Sequence, residues 1–444
     1  MIRHGGNRRM KNCRQNRRNF IRCGLGAVAA VAAPIVLPGH VLGRDGQTPP
    51  SERIGMGFAG LGGQGGGHLF GGAWTYLPGG YLARNDVRVL AVCDVQRSRA
   101  EGAKQRVQQF YQERFGGPLD PGVSAHEDFR QMIQRDDVDA VLIAASYHAQ
   151  GFLAMLAARA GKDIYCEKPT SITIRWGRAL VEACQRHGRI FQAGTQQRSE
   201  YEGRFRRAVE LVRGGVIGTL QTVYAYQQGG GFSPAPPEPD HGREIPADIN
   251  WDAYVGPLPW FPFDNNTSGH RFGWGDINWG QHHYDIVQWG IGADDTGPVE
   301  IGLQDGRPLL TYANGVQVVG GNYPGEDWIP GGACFVGTLG RIVVHRNGLT
   351  ADPAELLRET PEPEGYVYYS DSHSGNFLDC VRTRQRPICD AEIAHRGNSL
   401  LLLGGIAQRL NRTLRWDPQR EQFIDDEQAN RMLSLAPREG WTLG

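Results

Sequence analysis

Arginine is the default cation of this 444-residue chain, which holds 43 arginines and only four lysines. One of those lysines, Lys168, lies in Tyr165-Cys166-Glu167-Lys168-Pro169, directly after an apolar strand pattern. An ammonium is compact and shifts its pKa readily on burial, which a guanidinium does not do. At the carboxyl end of a strand it can donate to a hydroxyl or carbonyl oxygen and stabilise charge developing there. Glu167 is the carboxylate that balances this charge, and both residues are placed at the edge of a cofactor cleft. A surface lysine at a strand end is the alternative, and the motifs around it argue against that.

Gly60-Leu61-Gly62-Gly63-Gln64-Gly65 is a GxGxxG turn following the strand pattern Arg53–Ala59. In a dinucleotide-binding turn the first glycine, Gly60, permits the bend and Gly62 lets backbone approach a pyrophosphate. Gly65 then allows close helix–strand packing. The motif is weak alone in a chain with 62 glycines. A carboxylate closing the second strand strengthens it, and Asp94 supplies one, 29 residues after Gly65. The stretch 71–81 reads as an insertion that accounts for the long spacing. Asp94 would bind ribose hydroxyls and repel a 2′-phosphate, favouring NAD; nearby Arg97 and Arg99 leave NADP possible.

The third constellation is Asp276-Ile277-Asn278-Trp279-Gly280-Gln281-His282-His283-Tyr284-Asp285. On a helix Asn278 and His282 share a face, and Asp285 lies one turn beyond His282. That arrangement suits a proton relay centred on His282, with a structural hydrogen-bonding histidine as the alternative. A metal is not expected, because no third ligand stands at ordinary spacing.

These residues need elements to hold them. Strand patterns at 53–59, 87–93, 138–144, 162–166 and 189–193 alternate with helical patterns at 97–112, 149–160 and 173–187. That is the grammar of a doubly wound parallel sheet. After about residue 215 the pattern changes. Residues 228–275 are rich in glycine, proline and aromatics, and the aromatic stretch 251–274 is expected to offer stacking surfaces for sugar rings. Residues 297–346 read as antiparallel strands with turn signals at Asp305-Gly306, Asn314-Gly315 and Leu339-Gly340. Helices at 372–384 and 392–410 follow.

The zero formal net charge conceals an asymmetry. Residues 1–52 carry nine basic and two acidic side chains, leaving 38 basic against 45 acidic beyond them. The balance beyond the leader is a poor fit to nucleic acid or anionic lipid. Asn16-Arg17-Arg18-Asn19-Phe20-Ile21-Arg22 is a twin-arginine signature, followed by a short apolar stretch, so export is expected and no stable membrane span. Eight cysteines include no Cys-x-x-Cys pair, and a Cys380–Cys389 bridge is permitted without being required.

With Gly194-Thr195-Gln196-Gln197-Arg198-Ser199 and Leu414-Arg415-Trp416-Asp417-Pro418 added, the chain resembles the Gfo/Idh/MocA oxidoreductases across nearly all of residues 53–418, specifically their exported group. The resemblance implies a leader at 1–50 and a Rossmann α/β domain at 51–195. It implies an α+β domain at 196–418 with a large, mostly antiparallel open sheet that mediates oligomerisation, and a tail at 419–444. It implies NAD(P)-linked chemistry on a small sugar or cyclitol, a homodimer or homotetramer, a periplasmic location and the twin-arginine machinery as partner. Lys168 matches the family's catalytic lysine and His282 its catalytic-helix histidine, with Asp285 in support. Gln197, Arg198, Asn278 and His283 fall at substrate positions, and His148 at the cofactor or substrate edge. Asn278 stands where the family commonly has aspartate, and Gln150 where exported relatives often have a second histidine. The leading expectation is hydride transfer from a carbohydrate hydroxyl with the cofactor tightly held. A redox-neutral glycosidase working by oxidation, elimination and hydration is the second, and a carbohydrate-binding protein that retains a dinucleotide the third.

Overall fold

Strands that read as near-continuous apolar runs are those a parallel sheet buries on both faces, and six of them pair that way here. The computed structural model describes residues 52–72, 75–116, 122–226, 243–263, 277, 279–325 and 332–441. In it β1 (Ile54–Ala59), β2 (Val87–Cys93), β3 (Ser124–His126), β4 (Ala140–Ile143), β5 (Asp163–Cys166) and β6 (Phe191–Ala193) form one sheet in the order β3-β2-β1-β4-β5-β6. Every pairing in it is parallel. The crossovers carry α1 (Gly63–Phe70), α2 (Arg97–Phe115), α3 (Phe129–Met132), α4 (Gln150–Arg159) and α5 (Ile174–His187). Local capping sets the limits of α5: the Thr173 hydroxyl accepts from the Trp176 amide, and Gly188 ends the helix in the left-handed region. In such a sheet ligands bind beyond the carboxyl ends of the strands, where the order reverses beside β1.

The second sheet has nine strands. In chain order they are β7 (Leu220–Ala225), β8 (Glu300–Gln304), β9 (Arg307–Thr311), β10 (Gln317–Gly320), β11 (Ala333–Gly337), β12 (Arg341–His345), β13 (Gly348–Asp352), β14 (Leu414–Asp417) and β15 (Gln422–Phe423). Their spatial order is β13-β12-β11-β7-β10-β9-β8-β14-β15. Hairpins dominate as expected, but β7 enters the middle and runs parallel to β10. Local turn signals cannot reveal that pairing, because β7 lies far from its neighbours in sequence. The remaining helices are α6 (Arg204–Arg213), α7 (Trp251–Val255), α8 (Gly280–Ile291), α9 (His373–Thr383), α10 (Ala391–Leu410) and α11 (Glu427–Arg431).

From Arg53 onward the chain forms one compact unit. Its centre is α10, buried over nearly its whole length against the equally buried α8. Residues 419–441 pack into the same body: β15 pairs with β14, and Trp441 meets Phe152 of α4 edge-on at 5.7 Å. The six described cysteines, Cys380 and Cys389 among them, are buried free thiols. The leader with its twin arginines lies outside the described residues. Among the described residues no helix is long and apolar enough to cross a membrane.

Of the described aromatics of 251–263, four pack on each other, while Tyr254 also lines a cavity and Trp260 is exposed. Trp251 stacks on Tyr254 at 4.6 Å and meets Phe261 and Phe263 edge-on. Burial of Trp251 and Phe263 explains the arrangement, since apolar rings gain more by leaving water together than by lining a wet groove. Residues 264–276 lie outside the described residues.

Candidate active site

The glycine turn leaves no room for side chains. A Cβ on Gly60, whose φ is +77°, would stand 2.3 Å from the Ala144 carbonyl oxygen, and one on Gly65 only 1.7 Å from that of Gly60. A Cβ on Gly62 would meet nothing within 4 Å, so the turn is tight behind and open in front, as a pyrophosphate cradle requires. Asp94 closes β2 next to it. Its carboxylate accepts from the amides of Leu61 (2.7 Å) and Gln96 (2.9 Å), and Arg99 pairs with it at 3.1 Å. Beyond these strand ends lies a cavity of about 300 Å³, whose lining includes Gly60, Gly62, Asp94, Arg99, Ser146 and Tyr147. Glu127 and Asp128 also line it, and Arg97 is drawn off to Glu127 at 2.7 Å. A 2′-phosphate would meet carboxylates here. Asp94→Asn removes the repelling charge and releases Arg99. We expect it to shift the NADP:NAD affinity ratio by at least about tenfold toward NADP, measured by calorimetry on apoprotein.

Lys168 stands at the carboxyl end of β5, half-buried, its peptide bond to Pro169 in the cis form. Its ammonium lies over the rings of Tyr147 (6.0 Å) and Trp279 (5.5 Å). Glu167, the residue before it, is buried. Its Oε1 accepts from His68 (2.8 Å) and Gln64 (3.1 Å), both on α1, and from Gln196 (2.8 Å). Burial pushes the Glu167 carboxyl up, but the bonds from His68 and Gln64 and the Lys168 charge outweigh it and hold it below the usual range. Glu167 therefore ties α1 to β5. His148 is engaged as well: its Nε2 donates to the Tyr254 carbonyl at 2.7 Å, and burial lowers its pKa to about 4.

The lysine segment and α8 are joined by one amide. Gln281 Oε1 accepts from the Thr170 amide at 2.9 Å, and its Nε2 reaches Thr170 Oγ1 and the Ala394 carbonyl, both at 3.2 Å. Gln150 Nε2 donates to the Pro169 carbonyl at 2.7 Å and steadies the same segment. Lys168 and His282 are thus positioned by neighbours that bond each other directly. The His282 ring lies 6.0 Å from that of Trp279, so lysine and histidine meet around one indole.

Every residue of α8 from Gly280 to Gly290 is buried, so its polar side chains must find partners or be a liability. Gln281 is satisfied as described, and Gln288 by the carbonyls of Ala293 (2.9 Å) and Thr296 (3.0 Å). Asp285 gives both oxygens to Arg198, at 2.8 and 2.9 Å, and Arg198 also pairs with Asp294 at 2.7 Å. The histidines differ. His282 Nδ1 and both ring nitrogens of His283 lack hydrogen-bond partners among the described residues. Burial leads the lowering of both pKa values, His282 well below the ordinary value and His283 to about 3, with the Arg346 and Lys168 charges adding to it. Both shifts favour the neutral imidazole.

Two residues singled out from the sequence pair with each other here. Asp285 is engaged in a buried ion cluster and so does not support a relay through His282. Arg198 is itself buried and is engaged by two carboxylates, Asp285 and Asp294. Gln197 remains beside the site: it donates to the His282 carbonyl at 3.2 Å and accepts from Arg346 Nε at 3.1 Å. The described part of α8 begins at Gly280, and Asn278 lies outside the described residues.

Sequence reasoning missed Arg346 and Gln281. Arg346, in the β12–β13 turn, carries its guanidinium 4.6 Å from the Trp279 ring centre and 5.2 Å from that of Tyr201. Nothing local marks an arginine in a hairpin turn. Gln281 adjoins His282, and a polar side chain on an apolar helix was the available signal.

The buried histidines make acid stability a sharp readout. Burial leads the lowering of His148 and His373 to about 4, of His283 to about 3, and of His282 well below 6.5. Each takes up a proton on unfolding, so stability is lost as pH falls from about 6.5 towards 4. Glu200 opposes them: burial raises it to about 7, so its native form already holds a proton in that window. Four groups against one leave a net uptake of two to three protons, on the order of 3 kcal/mol per pH unit near pH 5.5. Thermal melts from pH 7.5 to 4.5 should show a steep fall in Tm; a flat profile would exclude buried neutral histidines.

Cradle, cleft and open sheet together define a class: a dinucleotide-binding oxidoreductase with a second α/β domain. Residues 54–195 match the family model described as the oxidoreductase family's NAD-binding Rossmann fold, and residues 237–443 that of its C-terminal alpha/beta domain. The chain belongs to the Gfo/Idh/MocA oxidoreductase family, and the cofactor of its Rossmann domain is NAD. Inositol 2-dehydrogenase of Salmonella paratyphi B is 29% identical over 141 residues, 31% of this chain and 37% of that protein. Glycosyl hydrolase family 109 protein 1 of Bacteroides thetaiotaomicron is 29% identical over 128 residues, 29% of this chain and 24% of that protein. The chain thus matches well under half the length of these curated relatives. The structure of scyllo-inositol dehydrogenase from Lactobacillus casei with bound NAD(H) and scyllo-inositol shares the fold. Its TM-score is 0.53 at 18% identity, covering 82% of this chain and 99% of that one.

Proposed function

We propose that this protein oxidises a hydroxyl of a small sugar, sugar derivative or cyclitol. The observation that carries this reading is the pair of buried histidines near Lys168, of which Nδ1 of His282 and both ring nitrogens of His283 lack hydrogen-bond partners among the described residues. Leaving polar groups unsatisfied costs about 1–3 kcal/mol each, so such groups mark where a ligand is received. When bound, NAD supplies the acceptor for the hydride that leaves the substrate carbon. Lys168 donates to the substrate oxygen and stabilises its developing negative charge. His282 takes the hydroxyl proton, and a carbonyl results. His283 offers a further ring nitrogen to a substrate hydroxyl.

The twin arginines of the leader support export, hence a periplasmic protein that meets the twin-arginine machinery. No free NAD pool is expected there, which favours a tightly held cofactor recycled in place. Assembly into a homodimer or homotetramer through the large second sheet belongs to the same reading. A redox-neutral glycosidase is the second reading, favoured by the likeness to the glycosyl hydrolase family 109 protein. Mass analysis of released cofactor, followed by a panel of sugars, cyclitols and aryl glycosides, tests both. Reduction of NAD by a free sugar or cyclitol supports the oxidoreductase, and aglycone release without net NADH the glycosidase. Neither result, with cofactor retained, would leave a binding protein.

A further inference from the structure

A short segment of the second half is fastened to both sides of the cofactor cavity. On the β2 side, the Asp248 carbonyl accepts from the Arg97 amide at 2.9 Å. Its carboxylate accepts from the Ser98 amide (2.9 Å) and hydroxyl (2.6 Å). The Asn250 amide donates to the Val95 carbonyl at 2.8 Å, directly beyond Asp94. On the β4 side, the Tyr254 carbonyl accepts from His148 at 2.7 Å. Strands β2 and β4 flank β1, so the segment spans the carboxyl end of β1, where the glycine turn begins. Ala253 and Tyr254 of α7 enter the lining of the cavity that Gly60, Gly62 and Asp94 also line, and Trp441 joins them from far along the chain. The Trp441 ring is buried against Phe152, with the Arg130 guanidinium 5.4 Å from its centre. Arg438 ties the Trp441 turn to the segment. Its amide donates to the Pro257 carbonyl (2.8 Å), and its guanidinium to the Gly256 carbonyl (3.1 Å) and the Asp252 carboxylate (2.6 Å).

We propose that residues 248–255 and Trp441 form a strap over the adenosine end of NAD, and that opening of this strap limits the cofactor's departure. This deepens the retained-cofactor part of the proposed function and rests on it. The carboxylate that closes the second strand is the one that meets the adenosine ribose, so the cavity beside Asp94 is where that end lies. At about 300 Å³ it stands at the small end of ligand pockets, roughly 300–1,000 Å³, and fits part of a dinucleotide rather than all of it. The two halves of the chain divide the work. The Rossmann half supplies the backbone cradle and the carboxylate, and the second half adds two aromatic side chains, Tyr254 and Trp441, whose apolar surface suits a purine. The anchors are polar bonds at partly exposed residues, so they can break without unfolding either half. A cover that must open before entry and before exit slows both steps, and it changes the rates more than the affinity.

The test is stopped-flow displacement of bound NADH by excess NAD, followed by NADH fluorescence, in wild type, Asp248→Ala and Trp441→Ala. Asp248 bonds the loop after β2 and lies outside the cavity lining, so its loss frees one anchor and leaves the binding surface intact. NADH dissociation from Asp248→Ala is expected to quicken by about tenfold or more, association to quicken with it, and Kd to move by less than about threefold. Trp441→Ala removes part of the cover itself. It is expected to weaken ADP-ribose by about tenfold while nicotinamide mononucleotide, which lacks the adenosine end, stays within about twofold by calorimetry. Dissociation from Asp248→Ala within about twofold of wild type would overturn the strap. Equal losses of ADP-ribose and nicotinamide mononucleotide in Trp441→Ala, or no loss of either, would overturn the placing of Trp441 over adenosine. Should Trp441→Ala not fold, Asp248→Ala, a change at a partly exposed residue, still decides the matter. Slow release from wild type that neither variant alters sinks the strap alone. Rapid release from wild type, faster still in Asp248→Ala, sinks the retained-cofactor reading and leaves the strap standing.

Discussion

Lys168→Ala is expected to lower kcat by roughly 10³-fold while NAD affinity stays within about tenfold of wild type. The ammonium, 6.0 Å from the Tyr147 ring and 5.5 Å from that of Trp279, is the proposed donor, whereas the cradle of Gly60, Gly62 and Gly65 is formed by backbone. Lys168→Arg should not restore turnover, because a guanidinium is larger and presents its donors in a fixed plane. Single-turnover reduction of NAD with saturating substrate isolates the chemical step. Turnover close to wild type in Lys168→Ala would remove the lysine, and with it the proposed site, from consideration.

Arg198→Met carries the largest expected effect on stability. It strips the cation from a wholly buried carboxylate, Asp285 at 2.8 Å, and a partly exposed one, Asp294 at 2.7 Å. Burial works against the Arg198 charge, and the two carboxylates more than compensate, holding its pKa well above the ordinary arginine value. An uncompensated buried charge typically costs 3–5 kcal/mol, so Tm should fall by on the order of 5–10 °C. Adding Asp285→Leu to Arg198→Met should recover part of the loss, since one of the stranded charges goes with it. The same variant separates the two assignments of Arg198. A substrate-binding arginine would raise KM and leave Tm alone, whereas the ion cluster demands the reverse order of effects.

Much of the site was legible in the chain because the relevant constraints are local. A turn that only glycine can make, a carboxylate at a strand end and a lysine after an apolar run all leave their mark within a few residues. The parallel strands were readable too, since burial on both faces demands uninterrupted apolar side chains. Helices 372–384 and 392–410 emerged close to their observed limits, His373–Thr383 and Ala391–Leu410, because their capping residues, Ser372 and Asp390, are local as well. How the aromatic stretch at 251–263 packs was not legible, for the converse reason. Composition tells that rings are present and not which way they face.

By itself, then, the sequence determined a dinucleotide-binding α/β half and a mostly antiparallel second half, and it singled out Lys168 and His282 as neighbours of one site. The tertiary structure decided what each charged group does. It assigned Asp285 to Arg198, turned Glu167 onto His68, placed β7 beside β10, and brought Arg346 to the ring that Lys168 faces. The physical reason is that an ionisable side chain carries no role until its desolvation and its partners are known, and both come from residues distant in the chain.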